Sequence, residues 1–556
     1  MKKAIIITIT IAALIVLGVF IYLKKRKLAD FEPVIKDKLQ SLVIKATDSL
    51  YRLEFDTLDA DVLSSRLTVV NARLLPDSTV ITKMKAAGTL PPNIFKVSLD
   101  TLLVTGIDLN DFISNKKIDL DTLYINQPYV EIFHMGQHAP VKDSTTIQGL
   151  YDKMAKQLNR LSIKKLFVKN MHMEHENNAG GKTGKKIALD NVNVFFDDIL
   201  MDSTTAHDYS RFLFAKNAVA SLATMRIPTA DSLYYLVVDS VSLNAVHNSA
   251  NIGRFTVQPR YSRAEFEHRI SRQKDLYHLI INNIHLQNIN WGHILTGEAF
   301  TADTIAMNGG TLDIYTDRRL PTPPSKLGKY PHQLLMKDST PVSIRAITLR
   351  DFDISYSELN PNSGKTGTIT FSNAHGVVTN IANTKSSIAQ NDVMKIKAEA
   401  IFLHKANVTA TFMFNLAKAK QGVFSVDAAM AGMDATQLNA VAEPLGRFSI
   451  QQGKIESLTT HISGDNYNAK GSITFLYSNL KIAVLKKDPA DTMQFKKRGL
   501  LSFIANTFVI KNANPTPGGD VRTLPCSHKR DITKSFFNLV WKTAEDGIKK
   551  TAGYNK

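Results

Sequence analysis

The side chains best suited to chemistry in this chain are His172, Glu174, His175 and Glu176, within the run HMEHE. Imidazole and carboxylate together are the donors of a divalent transition-metal site. Read as a strand, the run puts His172, Glu174 and Glu176 on one face and His175 on the other. That is poor geometry for one ion, and a solvated turn before Asn177 and Asn178 is the better reading. Asp197, Asp198, Asp202 and Asp208 supply the oxygens a hard cation needs, but they lack EF-hand spacing and a suitably placed glycine. The glycine pairs Gly180-Gly181, Gly309-Gly310 and Gly518-Gly519 have no strand–loop–helix context for cradling phosphate. No G-x-S-x-G elbow and no H-E-x-x-H pair is present. Phe412, Met413 and Phe414 read as core. The expectation is therefore a protein that is not an enzyme, with no catalytic, cofactor-binding or metal-ligating residues.

The elements that would hold such residues are unusual. Ala4 to Leu23 is an almost unbroken apolar run, preceded by Lys2 and Lys3 and followed by Lys24, Lys25, Arg26 and Lys27. About 20 apolar residues span the hydrocarbon of a bilayer. The run is too long for a signal-peptide core and ends without a small-residue cleavage site. It is read as an uncleaved transmembrane anchor over 4–23, leaving a short cytoplasmic tail at 1–3. The flanking cations are nearly balanced and do not themselves set the orientation. A basic juxtamembrane segment and amphipathic helix follow over 24–52, with Pro33 in the first turn and Val34, Leu39, Leu42, Val43, Ala46 and Leu50 at helical spacing.

From residue 53 to 485 the pattern is β, in units of the form apolar–x–apolar–x–x. Val97, Leu99, Leu102 and Val104 make one; Leu161, Ile163, Leu166, Val168, Met171 and Met173 another; Val342, Ile344, Ile347, Leu349, Phe352 and Ile354 a third. The gap often begins with Asp or Asn, as at Asp100, Asp121, Asp190, Asp239, Asn282 and Asp303. Within a pair, period two keeps both side chains on one face, and a gap of three reverses the parity. Both pairs stay on one face only if the strand absorbs an extra residue through a bulge, and repeated bulges curl a sheet. The expected fold is mainly β: an elongated, curved, mainly antiparallel sheet forming an apolar groove of roughly 25–30 strands. Its N-terminal part covers 53–316, with a helix at 145–161. A proline-rich loop at 317–341 is a candidate module boundary, and the C-terminal part covers 342–485. A short helix at 434–441 stops before Pro444. The tail, 486–556, carries an amphipathic helix at 531–547 whose apolar stripe is Phe536, Phe537, Val540, Trp541 and Ala544. It is expected to cap the sheet or to touch a membrane or partner.

With 556 residues and a net charge of +18, anionic lipid and nucleic acid are the partners to weigh. No nucleic-acid module is recognisable, and the densest cations abut the anchor, so lipid is favoured. The single cysteine, Cys526, excludes an intrachain disulfide and a multi-cysteine metal site.

The anchor, the following helix and runs such as VSIRAITLRDFDISYSELNPNSGKTGTITFSNAHGVVTNI and PLGRFSIQQGKIESLTTHISGDNYNAKGSITFLYSNLKIAVL resemble the AsmA-like proteins, relatives of TamB, from about Lys2 to Leu485. The resemblance implies a bulk periplasmic body anchored by a single pass in the inner membrane. It also implies a groove that passes phospholipid toward the outer membrane and serves outer-membrane homeostasis, with room for an outer-membrane or periplasmic protein partner. It brings no catalytic residues. The physics agrees: exposing the tails of a two-chain lipid to water costs roughly 20 kcal/mol at about 0.8 kcal/mol per methylene, and a dry trough removes that cost without chemistry. The alternative is a non-enzymatic scaffold or assembly factor for outer-membrane proteins, with an interior filled by its own side chains. An enzyme acting on envelope glycans would need a paired-carboxylate cleft.

Overall fold

The computed structural model describes residues 40–553, apart from 42, 45–46, 62–63, 92, 107–114, 136–150, 153–154, 156–157, 178–185, 209, 297, 447 and 485–509. The expected anchor at 4–23 and most of the helix at 24–52 lie outside these residues. Among the described residues no helix is long and apolar enough to cross a membrane. Twenty-one strands among the described residues belong to one largely antiparallel sheet. The chain divides into two compact units, Met1–Arg254 with Asn288–Glu298, and Phe255–Gln287 with Ala299–Lys556.

In unit 1, β1 (Tyr51–Glu54) and β2 (Thr57–Asp61) lie end to end against β3 (Arg66–Pro76). Helix α1 (Ser78–Ala86), capped by Asp77, leads to β4 (Asn93–Thr105). Next come β5 (Lys117–Asn126) and β6 (Tyr129–His134), which are again end to end along β4. β7 (Arg160–Asn177) runs parallel to both. β8 (Lys186–Met201), β9 (Ala215–Pro228) and β10 (Tyr234–Asn244) continue antiparallel. β11 (Ser249–Pro259) carries the division between the units.

In unit 2, helix α2 (Arg263–Arg269) precedes β12 (Leu276–Gln287) and β13 (Phe300–Asp317), which pair antiparallel. β14 (Val342–Leu359) is parallel to β13. The segment at 317–341 is the connection that makes this possible, and it holds helix α3 (Pro331–Lys337). It therefore lies inside unit 2. β15 (Thr366–Ala382), β16 (Val393–Phe402), β17 (Ala406–Asn415), β18 (Phe424–Asp434), β19 (Phe448–Gly464), β20 (Asn468–Val484) and β21 (Thr523–Lys529) follow, each antiparallel to the one before. The last helix is α4 (Phe536–Thr551).

Two parallel steps make the sheet mixed rather than uniformly antiparallel. Each follows a long connection, because parallel neighbours cannot be joined by a tight turn. The expected helix at 145–161 falls in the first connection. Tyr151, Asp152 and Ala155 are helical, but Arg160 and Leu161 already pair with Lys117 and Ile118 in the sheet. Leu161 fits the helical stripe and the strand alternation equally well, and the ladder claims it. The helix expected at 434–441 is a 3-10 turn (Ala435–Leu438) that runs through a short α stretch into a π turn containing Pro444. The C-terminal helix begins later than 531. Asp531 accepts the backbone N–H of Thr533 in a turn, and Ser535 caps the helix by accepting from Asn538.

The bulges expected from the two–three–two spacing are present, and they are left-handed. Asn170, Asn191, Asn283, Asp351 and Asn373 have φ near +50° in mid-strand. Asn and Asp tolerate this region because their short polar groups bond locally. In β7–β8 the register runs Val168↔Val194, Met171↔Val192, Met173↔Leu189, so an extra residue on β7 is answered by one on β8. β14–β15 repeats the device as Leu349↔Gly376, Phe352↔Ala374, Ile354↔Phe371. Neighbouring side chains hold the bulged backbone: Asn170 N–H donates to Asn193 Oδ1 at 3.0 Å, and Asn373 N–H donates to Asp353 Oδ1 at 3.0 Å.

Candidate functional site

The polar clusters picked out by sequence are used locally. His172 Nδ1 lies 2.5 Å from Asp190 and its Nε2 3.3 Å from Glu174. Tyr129 donates its hydroxyl proton to Glu174 at 2.8 Å and stacks on the imidazole at 4.9 Å. Burial first, then the hydrogen bond to Glu174 and the charge of Glu131, push the Tyr129 hydroxyl pKa up to about 12. His175 and Glu176 continue along β7 opposite Ile187 and Lys186. Among the described residues no group of histidine, cysteine and carboxylate side chains could hold a metal ion. Asp198 pairs with Arg211, while Asp202 and Asp208 accept from Thr204 and Ser210 in tight turns. Gly309 is a left-handed bulge in β13, and Gly518-Gly519 closes a turn. Cys526 is buried and free.

What the sheet does assemble is apolar. In unit 1 one cross-strand row runs Leu67, Val104, Leu123, Leu166, Phe196, Ala218 through β3, β4, β5, β7, β8 and β9. Every member is at most 5% exposed, and Val104 and Leu166 are fully covered. Tyr151 and Leu158, from the connection into β7, pack against this core.

Unit 2 builds a comparable row with a different finish. It runs Leu286, Ile305, Ile347, Val378, Ile396, Phe412, then Val426 and Ile462, through β12 to β19. Val426 and Ile462 are 1% and 0% exposed. Leu286, Ile347, Val378, Ile396 and Phe412 are only half-buried. A second row, Leu279, Leu312, Ile354, Phe371 and Phe402, is half-buried throughout.

The cover over the last strands is α4. Phe536, Leu539 and Ala544 enter a core with Phe414, Phe424, Ile462, Ile473 and Cys526. Gly547 allows close approach, since a Cβ there would collide with Ile473 and Cys526. The crossover before β14 joins the same core rather than lying over its own strands. Tyr330 is fully buried, its ring 5.1 Å from Phe536, and its hydroxyl donates to the Asp465 carbonyl at 3.0 Å. Gln333 donates to the Ala419 carbonyl at 2.8 Å. The Arg530 guanidinium lies over the Tyr330 ring at 4.4 Å and donates to the Lys326 carbonyl. At the start of the crossover, Arg318 pairs with Glu358 and donates to Tyr356 and Gln273.

Val378 and Ile396, still half-buried, pack against the edge of the same core with Leu335 and Ile388, and the ring contacts of α4 reach Phe412. There Phe537, 64% exposed, meets the Phe412 ring edge-on at 6.1 Å, and Trp541, 55% exposed, follows one turn along the same stripe. The sequence stripe grouped Phe536 and Phe537 together. The structure separates them, one into the core and one beside the half-covered row. Phe412 and Phe414, expected as core, divide likewise: Phe414 is buried and Phe412 half-open. Such a surface can desolvate hydrocarbon, at about 25 cal/mol per Å2 covered.

No protein-family model matches the sequence, and no curated protein matches it.

Proposed function

We propose that this chain is an AsmA-like envelope protein whose half-open apolar rows in unit 2 form a groove for the acyl chains of phospholipids, passing them between membranes in outer-membrane homeostasis. The apolar run at 4–23 anchors it in the inner membrane with the body in the periplasm. The observation that carries the reading is the row from Leu286 to Phe412, apolar on successive strands and half-covered at every member but Ile305. An enzyme is disfavoured because the polar clusters are spent on turns, caps and ion pairs. The second reading, a scaffold or assembly factor, draws its support from unit 1, whose interior its own side chains fill.

The test is lipid extraction and mass spectrometry of the detergent-purified chain. Phospholipid near one or more equivalents per chain is expected, falling at least about five-fold in Ile347→Asp and Phe412→Asp, with circular dichroism unchanged. A lipid-free, folded protein would favour the scaffold.

A further inference from the structure

The chain carries a tandem duplication. Asp48-Ser49-Leu50-Tyr51 leads into β1 and Asp231-Ser232-Leu233-Tyr234 into β10, with identical residues. Asp121-Thr122 and Asn126 in β5 recur as Asp303-Thr304 and Asn308 in β13; Ser162-Ile163 in β7 recurs as Ser343-Ile344 in β14. The separation between partners is nearly constant along the chain. The backbone repeats with the sequence: left-handed residues fall in corresponding places at Ser49 and Ser232, Gly106 and Asn288, Gln127 and Gly309, Asn170 and Asp351, Asn191 and Asn373. β3 ends at Pro76 before capped helix α1, and β11 ends at Pro259 before capped helix α2. Each copy then contains one parallel step, β5/β6 to β7 and β13 to β14, followed by a hairpin with answering bulges.

The copies keep the same lining, which is buried in both at Leu123 and Ile305, Ile163 and Ile344, and Met171 and Phe352, and differs in its cover elsewhere. Val104, Leu166 and Phe196 correspond to Leu286, Ile347 and Val378; the first three are at most 3% exposed, the second three half-buried. Val130 and Met173 correspond to Leu312 and Ile354, with the same contrast. The connection into β7 spends Tyr151 and Leu158 on its own copy's core, whereas the connection into β14 spends Tyr330 and Leu335 on the core beneath α4, which Val378 and Ile396 meet only at its edge.

We infer that the two copies have divided their labour: the first is a closed structural copy that takes no ligand, and the acyl-chain surface is confined to the second. This rests on the proposed lipid reading. The occupant is hydrocarbon rather than peptide because of what the face offers. The backbones of β13 to β17 are already paired on both sides, and β12 is paired with β13. The two rows present methyl, methylene and phenyl groups alone. A polypeptide laid there would leave its own N–H and C=O groups unsatisfied, and an acyl chain has none to satisfy.

The experiment uses the unaltered full chain, mixed with phosphatidylethanolamine–phosphatidylglycerol vesicles containing a phospholipid with a diazirine near the acyl terminus. After irradiation, adducts are mapped by peptide mass spectrometry. The expected result is adducts on peptides containing Leu286, Leu312 or Ile347, at least ten-fold above those containing Val104, Val130 or Leu166. Comparable labelling of both copies would overturn the division while leaving the lipid reading in place. Labelling of neither, or of the 4–23 segment alone, would overturn both.

Discussion

His332 is the residue whose setting has the plainest consequence. It is fully buried against Phe414, and neither ring nitrogen has a hydrogen-bond partner among the described residues. Burial pushes its pKa down from 6.5 to about 4. The unfolded chain therefore takes up a proton below pH 6.5 that the folded chain refuses until about 4. Stability is present in full above that range and is lost as pH falls through it, at up to about 1.4 kcal/mol per unit. Urea unfolding of unit 2 at pH 7.5 and pH 5 should show this loss, and His332→Leu should remove most of it; an unchanged slope in the variant would disprove the assignment. Sequence offered no sign of this histidine, since burial at that position depends on Phe414 arriving from the distant strand β17. The bulge residues were legible by contrast. The spacing of apolar pairs demanded an extra residue, and Asn or Asp in the gap named the side chains able to hold it. What spacing could not supply was the hand, φ near +50° at Asn170 or Asp351.

Among the elements, α4 decides how much of the unit 2 face is covered. Its buried stripe and Gly547 set it directly on Ile473. Gly547→Val should lift the helix and cost about 2–3 kcal/mol, an overpacking penalty, whereas Trp541→Ala should cost less than about 0.5 kcal/mol because that ring is 55% exposed. Equal losses in denaturant titrations would show that the helix is seated otherwise. The helix itself was readable from its periodicity. Its start was not, because Asp531 and Ser535 are both good caps and only the turn at Thr533 chooses between them. The parallel steps were also hidden. A buried strand reads the same in either direction, and only the long connections before β7 and β14, one thick with proline, could have hinted at a crossover.

At the scale of the whole molecule, two compact units with unequal finish should respond unequally to ligand. Calorimetry with and without phosphatidylglycerol micelles should raise only the unfolding transition that His332→Leu alters, by an amount equivalent to about 2.7 kcal/mol at a hundred-fold excess over Kd. A uniform shift of the entire profile would count against a surface restricted to unit 2. The duplication was within reach of the sequence, since Asp-Ser-Leu-Tyr occurs twice before a strand. The short recurrence of apolar pairs masks the longer one, because every strand of such a sheet resembles every other.

The answering bulges also constrain the history this protein can have. At Asn170 the extra residue on β7 is answered two positions on by the extra residue at Asn191 on β8; deleting either leaves Val168 and Met171, or Val192 and Leu189, two apart on one face, whereas deleting a residue inside a period-two pair, such as Phe167, puts Leu166 and Val168 on opposite faces. Deleting Asn170 should therefore destabilise unit 1 far less than deleting Phe167, which should abolish its folding, as limited proteolysis would reveal. Single-residue insertions and deletions within these strands are tolerable only at the bulges, which leaves copying of whole multi-strand blocks as the easier way for the gene to lengthen.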